Sequence, residues 1–124
     1  MLPKPTDAEL AILQVLWDRG PSTVRQVFDL LARERDVGYT TILKLLQIMT
    51  EKGLVRRDET GKLHVYAPAQ SQVSTQRHLL HDLMEKAFKG SSGQLVIQAL
   101  ATQSATEEEL REIRRLLDEA GRRP

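Results

Sequence analysis

The chain contains no cysteine, which excludes disulfides and thiolate metal sites and fits a reducing cytoplasm. No apolar run approaches the roughly 18–20 residues of a membrane span, so no membrane insertion is expected. Met1-Leu2-Pro3-Lys4-Pro5 also lacks the apolar core of a secretory signal. Charge of one sign is missing as well: the formal net charge is +1. Residues 1–70 carry ten Lys/Arg against nine Asp/Glu, and residues 71–124 carry eight of each. Any affinity for nucleic acid must then come from where charges point, not from their sum. No glycine run is suited to cradling a phosphate, and no nucleophile has a base and an orienting partner, so neither an enzyme nor a cofactor is expected. His78 and His81 stand at a metal-ligand spacing, but with no third ligand nearby no metal site is assigned.

What the chain does have is capped amphipathic sequence. With 124 residues it can bury one modest core plus a satellite helical segment. Thr6-Asp7-Ala8-Glu9 is a capping box, followed by an apolar face of Leu10, Ile12, Leu13, Leu16 and Trp17, with Gly20-Pro21 as the stop. The acids Asp7 and Glu9 are read as helix-start residues that suit the dipole. Ser22 is expected to cap a second helix on which Val24, Val27, Phe28 and Leu31 follow helical spacing.

After Gly38 the pattern switches from a helix to two short strands around a glycine turn. Tyr39 to Gly53 reads as a helix with Ile42, Leu45, Leu46 and Met49 on one side. Leu54–Arg57 and Leu63–Tyr66 read as strands whose tip is Thr60-Gly61-Lys62, with Gly61 free to adopt positive φ. A helix feeding directly into a basic hairpin is the outline of a recognition helix and its wing. Thr40, Lys44, Gln47 and Glu51 lie opposite the apolar side, with Thr41 and Leu43 on the flanks. Lys44 and Gln47 can bond base edges, and Thr40 or Leu43 can pack on a thymine methyl. The Tyr39 hydroxyl suits a phosphate oxygen, whereas Glu51 confines contacts to the first two turns. Arg56, Arg57, Lys62 and His64 can reach the backbone beside the groove. A plain solvated helix face and turn remain the alternative, as does a winged-helix protein-interaction module without DNA binding.

From Ser71 onward the sequence is helical. One helix is expected from Ser74 to Lys89, then a segment around Leu95–Leu100, then a last helix opened by the capping box Thr106–Glu109. Their apolar faces exceed what one small segment can cover, which points to a two-fold dimer, the alternative being a monomer in which they fold back onto the first domain. The expected fold is mainly α with a small β-hairpin. It comprises a winged helix-turn-helix DNA-binding domain over residues 1–70 and a C-terminal helical dimerisation domain over residues 71–124.

The order Asp7-Ala8-Glu9-Leu10, Leu16-Trp17, Tyr39-Thr40-Thr41-Ile42, Glu51-Lys52-Gly53-Leu54-Val55, Arg57, Gly61 and Val65-Tyr66-Ala67-Pro68 resembles the penicillinase repressor family (BlaI/MecI/CopY type). Phe88-Lys89-Gly90-Ser91, Leu95-Val96 and Glu108-Glu109-Leu110 are similar to the same family's dimerisation region, so the resemblance spans nearly the whole chain. It implies a homodimer repressing promoters at a palindromic operator in double-stranded DNA. It also implies release by proteolysis, when a membrane sensor-protease signals antibiotic or envelope stress. By position it places Tyr39, Thr40, Thr41 and Lys44 on the recognition helix at DNA, and Arg57 and Lys62 on the wing. Many relatives have an arginine at the place of Ile48 and a threonine near Lys44, which implies a different operator. The family's cleavage bond joins Asn to Phe; counting from Phe88 puts Gln98-Ala99 there. The copper-responsive branch uses C-terminal cysteines, which this chain lacks. A winged-helix regulator released by a small molecule instead of by proteolysis is a further reading.

Overall fold

The structure, a computed structural model, describes residues 3–123. In chain order the described residues form α1 (Asp7–Arg19), α2 (Val24–Leu31), α3 (Tyr39–Lys52), β1 (Val55–Asp58), β2 (Val65–Pro68), α4 (Gln72–Ala87), α5 (Ser92–Thr102) and α6 (Glu107–Gly121). The molecule is mainly helical with one β-hairpin wing. It packs as two compact units that part between Leu79 and Leu80, inside α4.

In the first unit the helical periodicity becomes a core. Ile12, Leu13 and Leu16 of α1, Val24, Val27 and Leu31 of α2, and Ile42, Leu46 and Met49 of α3 are buried together with Leu54, Val55 and Tyr66 of the wing. Each helix has a local reason to begin. Thr6 and Glu9 complete the capping box of α1, with the Thr6 amide donating to Glu9 Oε1 at 2.9 Å and the Glu9 amide to Thr6 Oγ1 at 3.2 Å. The same reciprocal box opens α2, but through Thr23 and Gln26 rather than Ser22. Ser22 is instead fully buried: its amide donates to the Tyr66 carbonyl at 2.9 Å, and the Tyr66 amide returns a bond to the Ser22 carbonyl at 2.8 Å. That bridge ties the wing to the segment before α2. At the end of α3, Gly53 takes a left-handed conformation (φ 82°), and Leu54 N donates to the Met49 carbonyl at 2.9 Å. Only a residue tolerant of positive φ turns the chain from helix to strand so abruptly.

The wing strands pair antiparallel with Val55 opposite Pro68, Arg56 opposite Ala67, Arg57 opposite Tyr66 and Asp58 opposite Val65. They start one and two residues later than the sequence pattern suggests. The reason is tertiary: burying Tyr66 and bonding it to Ser22 sets the register, and Leu63 is left exposed in the loop. Asp58 Oδ1 accepts from the Thr60 amide at 2.9 Å and its hydroxyl at 2.7 Å. This side-chain turn bends the tip, so Gly61 does not need positive φ and does not adopt it.

The helix α4, which the boundary between the units divides, begins at Gln72, two residues before the expected Ser74, because Ser71 Oγ accepts from the Ser74 amide at 3.0 Å. It ends at Ala87, where Lys89 (φ 51°) and Gly90 (φ 79°) turn the chain and the Gly90 amide donates to the Met84 carbonyl. Ser91 caps α5, and Thr106 with Glu109 forms the capping box of α6 as the sequence indicates. None of α4, α5 and α6 contains a buried residue. Leu83, Val96, Ile97, Leu100, Leu116 and Leu117 all stand exposed. No helix among the described residues is long and apolar enough to cross a membrane.

Candidate nucleic-acid interface

The third helix divides as its period requires. Ile42, Leu46 and Met49 are buried, while Thr40, Thr41, Lys44 and Gln47 are all exposed on the outer side, with Glu51 exposed at the far end. Leu43 and Leu45 are half-buried and border the face. No side-chain bond caps the start of this helix, since Gly38 occupies the N-cap. Its first amides therefore point outward without a protein acceptor from the cap. Tyr39 is 39% exposed, close to Phe28.

The wing carries the second group of expected contacts. Lys62 is exposed in the loop and makes no salt bridge among the described residues. Arg57 is more engaged. Its Nε lies 2.6 Å from Glu59 Oε1, and Tyr66 stands directly opposite it in the ladder. The Tyr66 side chain and then the Glu59 carboxylate push the guanidinium pKa above its ordinary value. Taking a phosphate would mean exchanging Glu59 for it. Arg56, on the opposite strand face, is exposed and makes no salt bridge among the described residues. Asp58 is occupied by the turn at Thr60, whose amide and hydroxyl lower its pKa.

One partly buried ion pair is not foreseen from the sequence. Glu9 is 1% exposed, and Lys52 Nζ, at the C-terminus of α3, lies 2.9 Å from both of its oxygens. Burial works against the charged carboxylate, but the Thr6 amide and Lys52 outweigh it and hold its pKa below the ordinary value. The pair ties the end of α3 to the start of α1. Its signal was present in the sequence only as an acid at a helix start.

His78 Nδ1 lies 2.7 Å from the Ser74 carbonyl, and His81 is exposed. Among the described residues no group of three or more His, Cys, Asp or Glu is arranged to hold a metal. Gln98 and Ala99 sit inside α5, both exposed, and the Gln98 carbonyl accepts from the Thr102 hydroxyl at 2.8 Å.

Three helices, a two-stranded wing and a free outer face on the third helix define a winged helix-turn-helix domain of the kind used by transcription regulators. The penicillinase repressor family profile matches residues 5–119, so the chain belongs to that family of non-enzymatic transcriptional repressors. The transcriptional regulator BlaI of Mycobacterium tuberculosis is 35% identical over 92 residues, covering 73% of this chain and 67% of that protein. The penicillinase repressor of Bacillus licheniformis is 23% identical over 118 residues, covering 95% of this chain and 92% of that protein. The solution structure of monomeric Bacillus licheniformis BlaI in complex with the blaP half-operator superimposes with a TM-score of 0.52 at 25% identity, over 58% of this chain and 88% of that one.

Proposed function

We propose that this protein is a homodimer that represses transcription in the cytoplasm by binding a palindromic operator in double-stranded DNA. In this reading α3 enters the major groove, where Thr40, Thr41, Lys44 and Gln47 meet base edges. Tyr39, Arg57 and Lys62 hold phosphates on either side. The observation that carries the reading is the outer face of α3: four polar side chains stand exposed on the helix that leads directly into the wing, in a family with a member solved on half-operator DNA. The exposed apolar faces of α4, α5 and α6 support pairing with a second copy.

Fluorescence anisotropy with a duplex from upstream of the gene and with a scrambled duplex tests this. Binding should weaken steeply as salt rises, and the upstream duplex should bind more tightly. Lys44→Ala should cost about 1–3 kcal/mol on the preferred duplex and relax base preference where the lysine reads. Unchanged affinity and preference would remove Lys44 from the reading surface.

Release follows in this reading from cleavage by a membrane sensor-protease near Gln98-Ala99. Both residues are helical, and a protease takes an extended strand, so α5 must open locally before it is cut. Intact-mass analysis of the protein from antibiotic-stressed cells should show two fragments divided in α5. An uncut chain in derepressed cells would favour release by a small molecule.

A further inference from the structure

Between the first turns of α2 and α3 and the end of the wing loop lies a notch of about 260 Å³. Arg25, Lys62 and His64 line it together with Tyr39 and Thr23, and none of its lining residues is acidic. The volume lies below the roughly 300–1,000 Å³ of pockets that take drug-sized ligands. A small anion suits it better in both size and charge.

Arg25 does not hang loosely at this mouth. Its guanidinium carbon is 4.9 Å from the centre of the Tyr39 ring and 5.6 Å from that of Phe28. The two rings meet edge to face with centroids 5.8 Å apart. Aromatic faces attract a guanidinium and leave the N–H groups at its planar edge free to bond, which is the arrangement that grips a phosphate. The acid that approaches it, Asp29, is at 4.0 Å with both side chains more than half exposed, so that pair is weak.

We propose that Arg25 is a phosphate-binding residue of the DNA interface, and that the notch it shares with Lys62 and His64 seats one phosphodiester of the duplex backbone. This rests on the DNA reading above and adds a contact from α2 to those on α3 and the wing. A duplex whose groove receives α3 has its bordering strand beside the first turn of that helix. Tyr39, which holds Arg25, is the first residue of that turn. The wing then grips the phosphate from one side and α2 from the other.

The test uses the full chain and anisotropy titrations at several KCl concentrations. Arg25→Gln should lower affinity roughly threefold to tenfold on upstream and scrambled duplexes alike, and reduce the log–log salt slope by about 0.9. Arg25→Lys should keep the slope, because the charge remains, while losing part of the affinity. A set of duplexes each carrying one methylphosphonate supplies a second measurement. At one position the neutral linkage should weaken wild type but leave Arg25→Gln nearly unaffected. If wild type bound with salt dependence while Arg25→Gln matched it in affinity and slope, this assignment alone would be overturned. If wild type bound no duplex, the assignment and the DNA reading would fall together. Saturable binding of inorganic phosphate, abolished by Arg25→Gln with no change in duplex affinity, would assign the notch to a free anion and overturn the proposal.

Discussion

Lys52→Met is expected to destabilise the first unit by about 1–3 kcal/mol. Removing one partner of a buried ion pair typically costs roughly 3–5 kcal/mol, because the other charge is left without compensation. Here Glu9 is the buried member, with a side chain 2% exposed, whereas that of Lys52 is 36% exposed. Water at the lysine end screens the pair and lowers the expected cost. Glu9→Gln should cost less, since an amide oxygen can still accept from the Thr6 amide and no charge remains to be buried. The double variant should recover part of the Lys52→Met loss, and that recovery measures the coupling between the two side chains. Trp17 provides the probe. It is the single tryptophan, it packs against the first core, and its Nε1 donates to the Gln70 carbonyl at 3.1 Å. Denaturation followed by its fluorescence therefore reports the first unit. A Lys52→Met midpoint equal to wild type would mean the pair contributes no stability.

The same pair predicts a pH dependence of known sign. The folded pKa of Glu9 is depressed below its ordinary 4.5. Its stabilising contribution is therefore complete above about 4.5 and is lost as pH falls through the lower folded value. Glu9→Gln should flatten the acid limb of the stability curve over that range and leave the curve above it parallel to wild type.

The elements that were legible in the sequence are those whose determinants lie within a few residues. The boxes at Thr6/Glu9 and Thr106/Glu109 announced α1 and α6, Gly53 announced the end of α3, and a 3.6-residue period separated Ile42, Leu46 and Met49 from the free face. What misled the reading was decided by distant partners. Ser22 and Thr23 are both competent caps. Thr23 takes the position because the backbone of Ser22 is bonded on both sides to Tyr66. The same contact sets the wing register. Glu9 looked like a residue serving the helix dipole, since its partner stands 43 positions away in the chain.

The candidate interface shows the same division. Thr40, Thr41, Lys44 and Gln47 were placed on one exposed side by periodicity alone, and the structure leaves all four exposed. Arg57 and Lys62 were placed on the wing, but not the carboxylate of Glu59 that engages Arg57. The placement of Arg25 was not legible, because it depends on two rings, Phe28 and Tyr39, brought together from different helices.

Leu117→Asp combined with Ile97→Asp is expected to have the largest effect on operator binding, although neither residue belongs to the proposed reading helix or its wing. Their side chains are 59% and 60% exposed, so within one chain the substitutions disturb little packing and the fold should persist. In a symmetric dimer each change acts twice and buries unpaired carboxylates against an apolar partner surface, a cost no rearrangement of the exposed helices offsets. Sedimentation at micromolar concentration should then show a dimer for wild type and a monomer for the variant. The consequence for DNA follows from effective concentration. Once one half-site is held, a tethered second domain meets the other half-site at roughly millimolar local concentration, and uncoupling the two costs about 10²–10⁴ in affinity. A duplex carrying a single half-site isolates this cause, because a monomer and a dimer hold it through the same contacts. The variant should match wild type on the half-site and lose its advantage only on the full palindrome. A wild-type chain that sediments as a monomer at tens of micromolar would overturn the pairing, and equal losses on half and full sites would place the damage in the DNA-binding unit.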